Sequence, residues 1–150
     1  MDIGRKPVNQ DKVLKGVTIR VCKLNGAWQE WIEGEAVADM VPMEDTATIT
    51  VARMNNKDYT NYIQKQLITL GGSRRNRDVE KMDAIINRGI AKHVLKGWDG
   101  FRDDGKKLPY REKSAIQLMT DDPDFKAFVL EVADEQDRYV DEVVKEQAKN

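Results

Sequence analysis

Apolar and polar positions change their spacing twice along this chain, and the changes divide it into parts. Val17, Ile19 and Val21 alternate with Thr18, Arg20 and Cys22. Period two with β-branched residues predicts a strand from Gly16 onward. Asn25-Gly26 then predicts a hairpin turn, because both residues accept positive φ. Trp28, Trp31 and Ile32 fall on the return strand or pack beneath it. After Pro42 and the Glu44-Asp45 pair, Thr46 to Met54 repeats the alternation and predicts another strand. The first residues, 1–15, are polar apart from scattered apolar positions and predict a flexible lead-in.

Beyond residue 55 the spacing becomes three and four, the helical period. Asn55 or Asn56 is placed to cap a helix running to Leu70, with Tyr59, Tyr62, Ile63, Leu67 and Leu70 on one face. Gly71-Gly72-Ser73 ends it. A second helix is predicted from Asp78 to Leu95, with Val79, Met82, Ile86, Ile90 and Leu95 on or near one face. Gly89 weakens it by about 1 kcal/mol relative to alanine unless a neighbour packs close. A loop follows, then a third helix from Glu112 to Met119. Asp122 as N-cap and Pro123 at the first helical position start a last, long helix. Its apolar positions run from Phe125 through Val140, Val143 and Val144, and KEQAKN is a solvated tail. The expected architecture is α+β in one domain: a small N-terminal antiparallel β-sheet over 16–54, then about four helices over 55–150.

Composition narrows the chemistry. Lys and Arg number 25 against 26 Asp and Glu, a net charge of −1, so no global field draws the chain to DNA or anionic lipid. The one cysteine, Cys22, excludes an internal disulfide and fits a reducing cytoplasm. No run approaches the roughly 18 apolar residues of a membrane span, and no signal-peptide core opens the chain. His93 is the one histidine and lies far from Cys22 in sequence, so Cys22 reads as a small buried hydrophobe rather than a nucleophile. The acids Asp99, Asp103, Asp104, Asp121, Asp122 and Asp124 lack EF-hand spacing and are accounted for by turns and caps. No phosphate-binding glycine loop and no serine-histidine-acid set is present. Neither a cofactor nor a metal is expected, and an enzyme is not. Arg74, Arg75 and Arg77 form a short basic run that offers phosphate only a weak site.

The loop after the second helix carries more information. Trp98 and Phe101 are too large to leave in water, and Leu108, Pro109 and Tyr110 follow two acid-glycine turn signals. Two compatible readings stay open: these side chains close a small core, or they present a surface to a partner. Val140, Val143 and Val144 pose the same choice between core and a self-association stripe.

The stretch from Val94 to about Ala133 resembles the tail assembly chaperones of long-tailed phages. A helix runs into Leu95-Lys96-Gly97-Trp98-Asp99-Gly100; then come Asp104-Gly105, Leu108-Pro109-Tyr110, a helix with Ala115, and an Asp122-Pro123 break before Phe125. The N-terminal half matches by layout. Arg111 departs from the pattern, standing where a serine-like cap is expected. The resemblance implies a non-catalytic protein that binds the tape measure protein and keeps it soluble and extended until the tail tube polymerises around it. It also implies a place in the host cytoplasm, absence from the finished virion, and, through an extended form known in such phages, contact with the tail tube protein. The residues proposed for partner contact are Trp98, Phe101, Leu108, Pro109, Tyr110, Val140, Val143 and Val144. Two other classes are a structural tail or head-completion component, joined through sheet edges, and a small nucleic-acid-binding regulator using the three arginines.

Overall fold

The computed structural model describes residues 1, 7–70 and 79–141. The fold is α+β, with an N-terminal antiparallel sheet followed by helices. The predicted alternation produces β1 (Val17–Leu24), the Asn25-Gly26 turn at φ 53° and 81°, and β2 (Ala27–Glu30). Ala47–Val51 forms β3, buried at every second residue. Pairing runs β2-β1-β3-β4, all antiparallel, where β4 is Leu95–Asp99. That last strand corrects the expectation of a purely helical part after residue 55. A two-stranded hairpin, β5 (Arg102–Asp103) and β6 (Lys106–Lys107), is a second departure from it.

One sheet face is apolar. Ile19, Val21, Ile49, Val51, Leu95 and Trp98 point from it into the main core. Three helices supply the other half: α4 (Val79–His93), α5 (Glu112–Asp121) and α6 (Pro123–Asp134). Ile90 and Val94 close the end of α4; Ala115 and Met119 face in from α5; Phe125, Val129, Val132 and Ala133 face in from α6. A further helix, α3 (Lys57–Thr69), packs on α4 outside this layer. The predicted stop at Gly71-Gly72-Ser73, the start at Asp78 and the run Arg74, Arg75, Arg77 lie outside the described residues.

The opposite face carries Thr18, Arg20, Thr48 and Thr50, with Thr18 and Thr50 hydroxyls 2.8 Å apart. A flap over residues 31–46, containing α2 (Ala36–Met40), covers one end of it. There Cys22, Trp31, Val37 and Val41 make a small separate core, pinned by the Trp31 indole N–H donating to the Val41 carbonyl at 2.8 Å.

Two terminal expectations are corrected. The 1–15 lead-in forms helix α1 (Gln10–Lys15), because the Asn9 side chain caps it and Val13 is buried. The predicted last helix is not continuous to Val144; α6 stops at Asp134 and a 3-10 turn follows over Gln136–Tyr139. Tertiary contacts outcompete helical spacing here. The Tyr139 hydroxyl donates to the Val51 carbonyl at 3.0 Å, and Arg138 pairs with Glu30 at 2.7 Å. Val140 forms an antiparallel bridge with Val8, and the Asn9 N–H reaches the Tyr139 carbonyl at 2.8 Å. This strap seats α1. The proposed self-association positions Val143 and Val144 lie outside the described residues.

Candidate partner-binding site

The turn from α4 into β4 delivers Trp98 to the centre of the molecule. In register, Ile49 pairs with Trp98, so the indole leaves the sheet on the core side. Five aromatic rings gather there. Trp98 meets Phe101, Tyr110 and Phe125 at centroid distances of 5.0, 4.9 and 6.4 Å, each edge-to-face. Trp28 meets Phe125 at 5.0 Å and Phe101 at 5.8 Å in the same manner. Such contacts add about 0.5–1.5 kcal/mol each beyond area burial.

Every polar handle of the cluster is used. The Trp98 indole N–H donates to the Leu108 carbonyl at 2.9 Å, which folds the β5–β6 hairpin back over the ring. The Tyr110 hydroxyl sits between the Ala91 and Leu95 carbonyls, tying the loop to the end of α4. Burial pushes the Tyr110 hydroxyl well above the ordinary tyrosine value. The Trp28 indole N–H donates to Asp122 Oδ2 at 2.9 Å, and Lys23 Nζ reaches the same oxygen at 3.0 Å. Asp122 Oδ1 accepts from the Phe125 N–H at 3.1 Å, capping α6 as its sequence position predicts. Partial burial works against that carboxylate, yet the hydrogen bonds from Trp28, Lys23 and Phe125 together outweigh it and hold its pKa below the ordinary value.

The candidate residues therefore separate. Trp98, Phe101, Leu108 and Tyr110 come together; Trp98 is 9% exposed, and the other three are half-buried at the rim. Pro109 is exposed between them. Val140 lies apart in the strap, 5% exposed. Trp98 and Val140 thus spend their surface on internal contacts. Sequence reasoning missed Trp28, Asp122 and Phe125 as members of the cluster. The signal available was register: Trp28 lies opposite Lys23 across the Asn25-Gly26 turn.

Among the described residues, Cys22 and His93 stand apart. Cys22 lies under the 31–46 flap, where burial raises its thiol pKa, whereas His93 ends α4 beside Tyr62, with ring centroids 5.5 Å apart. Burial, followed by nearby Lys96, lowers the His93 pKa, which favours the neutral ring.

Large apolar side chains are exposed elsewhere: Ile32, Met40 and Met43 in the flap, and Ile68 and Val79 on the α3–α4 pair. Of α3, only Tyr59 is buried, and Ile68 is 78% exposed; Val79 at the start of α4 is 71% exposed. The base of this helix pair is tight. Asn56 caps α3 by accepting from the Tyr59 N–H at 3.0 Å, and its amide donates to the His93 carbonyl at 2.8 Å. Gly89 permits the approach, since a Cβ there would lie 3.0 Å from the Tyr59 ring and 3.1 Å from Tyr62.

The profile of the YdaY prophage protein family matches residues 44–150, which include β3, β4 and α3 to α6. The chain belongs to that family. It is thus a phage-derived protein. No curated protein matches the chain, and no solved structure does. The YdaY match contains four of the five rings, Trp98, Phe101, Tyr110 and Phe125; Trp28 joins them from the preceding strand pair.

Proposed function

We propose that this prophage protein is a non-catalytic tail assembly chaperone that binds the tape measure protein and keeps it soluble until the tail tube polymerises. The observation that carries the reading is the mutual contact of the residues that make the resemblance. Trp98 packs on Tyr110 and Phe125, Tyr110 bonds the Leu95 carbonyl at the start of β4, and Asp122 caps the helix bearing Phe125. A sequence pattern whose members touch one another is a built unit rather than a coincidence of spacing. Membership in a prophage family supports the same direction.

In this reading the protein works in the host cytoplasm and is absent from the mature virion, and contact with the tail tube protein comes through an extended form. The test is co-expression with the tape measure protein of the same prophage. A soluble complex recovered on an affinity tag is expected; an insoluble, unbound tape measure protein beside a folded partner ends the proposal. A structural tail or head-completion component is the second reading, favoured by β2, a sheet-edge strand. Mass spectrometry of purified particles separates the two, because only a structural component is present stoichiometrically.

A further inference from the structure

A groove of about 440 Å³ runs between α5 and the β5–β6 hairpin. Its apolar lining is Leu108 and Leu118, both half-buried, while Arg102, Asp103, Lys113 and Asp121 add two charges of each sign. Among the described residues, Arg102, Asp103 and Lys113 make no ion pair. Asp121 is held by the neutral Gln117 amide at 2.9 Å, which leaves its charge uncompensated. Lys113, Gln117 and Asp121 recur every four residues along one face of α5. At 1.5 Å rise per residue, the cation and the anion at the ends stand about 12 Å apart along the axis, or two helical turns. The α5 wall of the groove thus carries a cation, Lys113, near its N-terminal end and an anion, Asp121, at its C-terminal end.

We propose that this groove is the docking site for one amphipathic helix of the client, a deepening that rests on the chaperone reading above. The occupant carries apolar side chains one turn apart to meet Leu108 and Leu118. On the same face an acidic residue lies opposite Lys113 and a basic residue two turns away lies opposite Asp121. A helix fits better than an added strand. The α5 wall presents only side chains, its backbone being bonded internally, and β5 and β6 are two residues long, too short to template a strand. The distal α3–α4 pair exposes Ile68 and Val79 and is the other surface to test.

The experiment co-expresses variants with the tape measure protein of the same prophage and measures how much is recovered soluble and bound. Lys113→Glu and Asp121→Lys change exposed side chains and leave the fold intact. Each is expected to lower recovery about tenfold. Leu118→Ser, its folding checked by circular dichroism, is expected to do the same, and Met40→Ser on the far flap to change nothing. Full recovery with all three groove variants overturns the assignment while leaving the chaperone reading standing. Loss with Ile68→Ser alone moves the site to the α3–α4 pair and also overturns it. No recovery with the parent protein sinks the chaperone reading and this site with it.

Discussion

Two helices of nearly equal length, α3 and α6, lead opposite lives in this fold. Over 12 residues α6 buries Phe125, Val129, Val132 and Ala133, whereas over 13 residues α3 buries only Tyr59. Both show helical apolar spacing, and both are capped by an Asx side chain. The difference comes from what lies opposite. Against α6 stand a sheet face and three aromatic rings, Trp28, Trp98 and Phe101; among the described residues α3 packs chiefly on one helix, α4. Apolar periodicity specifies that a helix has a sticky side, but the number of layers available decides how much of that side is covered.

The contrast breaks most sharply at Trp98. Truncation to alanine removes the ring shared by Phe101, Tyr110 and Phe125, and strands the Leu108 carbonyl; we expect a loss of about 3 kcal/mol or more in denaturant melts. Stability at the parental value would mean that the aromatic layer is not what distinguishes α6 from α3. Next comes Gly89→Leu, which forces a side chain against Tyr59 and Tyr62. Overpacking there is expected to cost about 2 kcal/mol. Amide exchange should accelerate in α3 before it does in α6.

A smaller effect is expected at the α6 cap. Asp122→Asn loses a charged acceptor for Trp28 and Lys23 and costs about 1 kcal/mol. The pH dependence has a definite sign. The folded pKa lies below the ordinary aspartate value of 3.8, so this stabilisation is complete above that value and disappears as pH falls through the folded pKa. Comparing parent and variant melts between neutral pH and pH 2 checks it, since the variant should lack this part of the acid loss. Smallest of all, Ile68→Ser at an exposed position of α3 should change stability by no more than about 0.5 kcal/mol. A large loss would show that the distal helix face is covered after all.

Much of this architecture is legible in the sequence. The β1 alternation, the Asn25-Gly26 turn, β3 and the Asp122-Pro123 start of α6 follow from local rules, because turns and caps depend on neighbouring residues alone. The β4 strand did not, for a physical reason. A register shift between Thr50 and Val51 leaves Lys96 outside the pairing, so the Leu95-to-Asp99 stretch never displays period two. The helix α1 was missed because six residues carry too little periodic signal, and it is seated by a segment far away in sequence. The same distant contact ended α6 early, against a helical spacing that continues through Val140. At the candidate site, the sequence identified which side chains needed cover and left open whether core or partner supplies it. For Trp98 the answer is core; for the rim residues it depends on geometry between α5 and a hairpin that pattern alone does not reveal.

The bridge between Val8 and Val140 has a bearing on how the chain is made. Synthesis proceeds from the N-terminus, so residues 7–15 emerge early and wait for partners that are nearly the last described residues to be translated. Until Tyr139 and Val140 leave the ribosome, α1 lacks the hydrogen bonds that seat it. A nascent chain halted before that point therefore lacks the Val8–Val140 bridge and the Asn9–Tyr139 hydrogen bond.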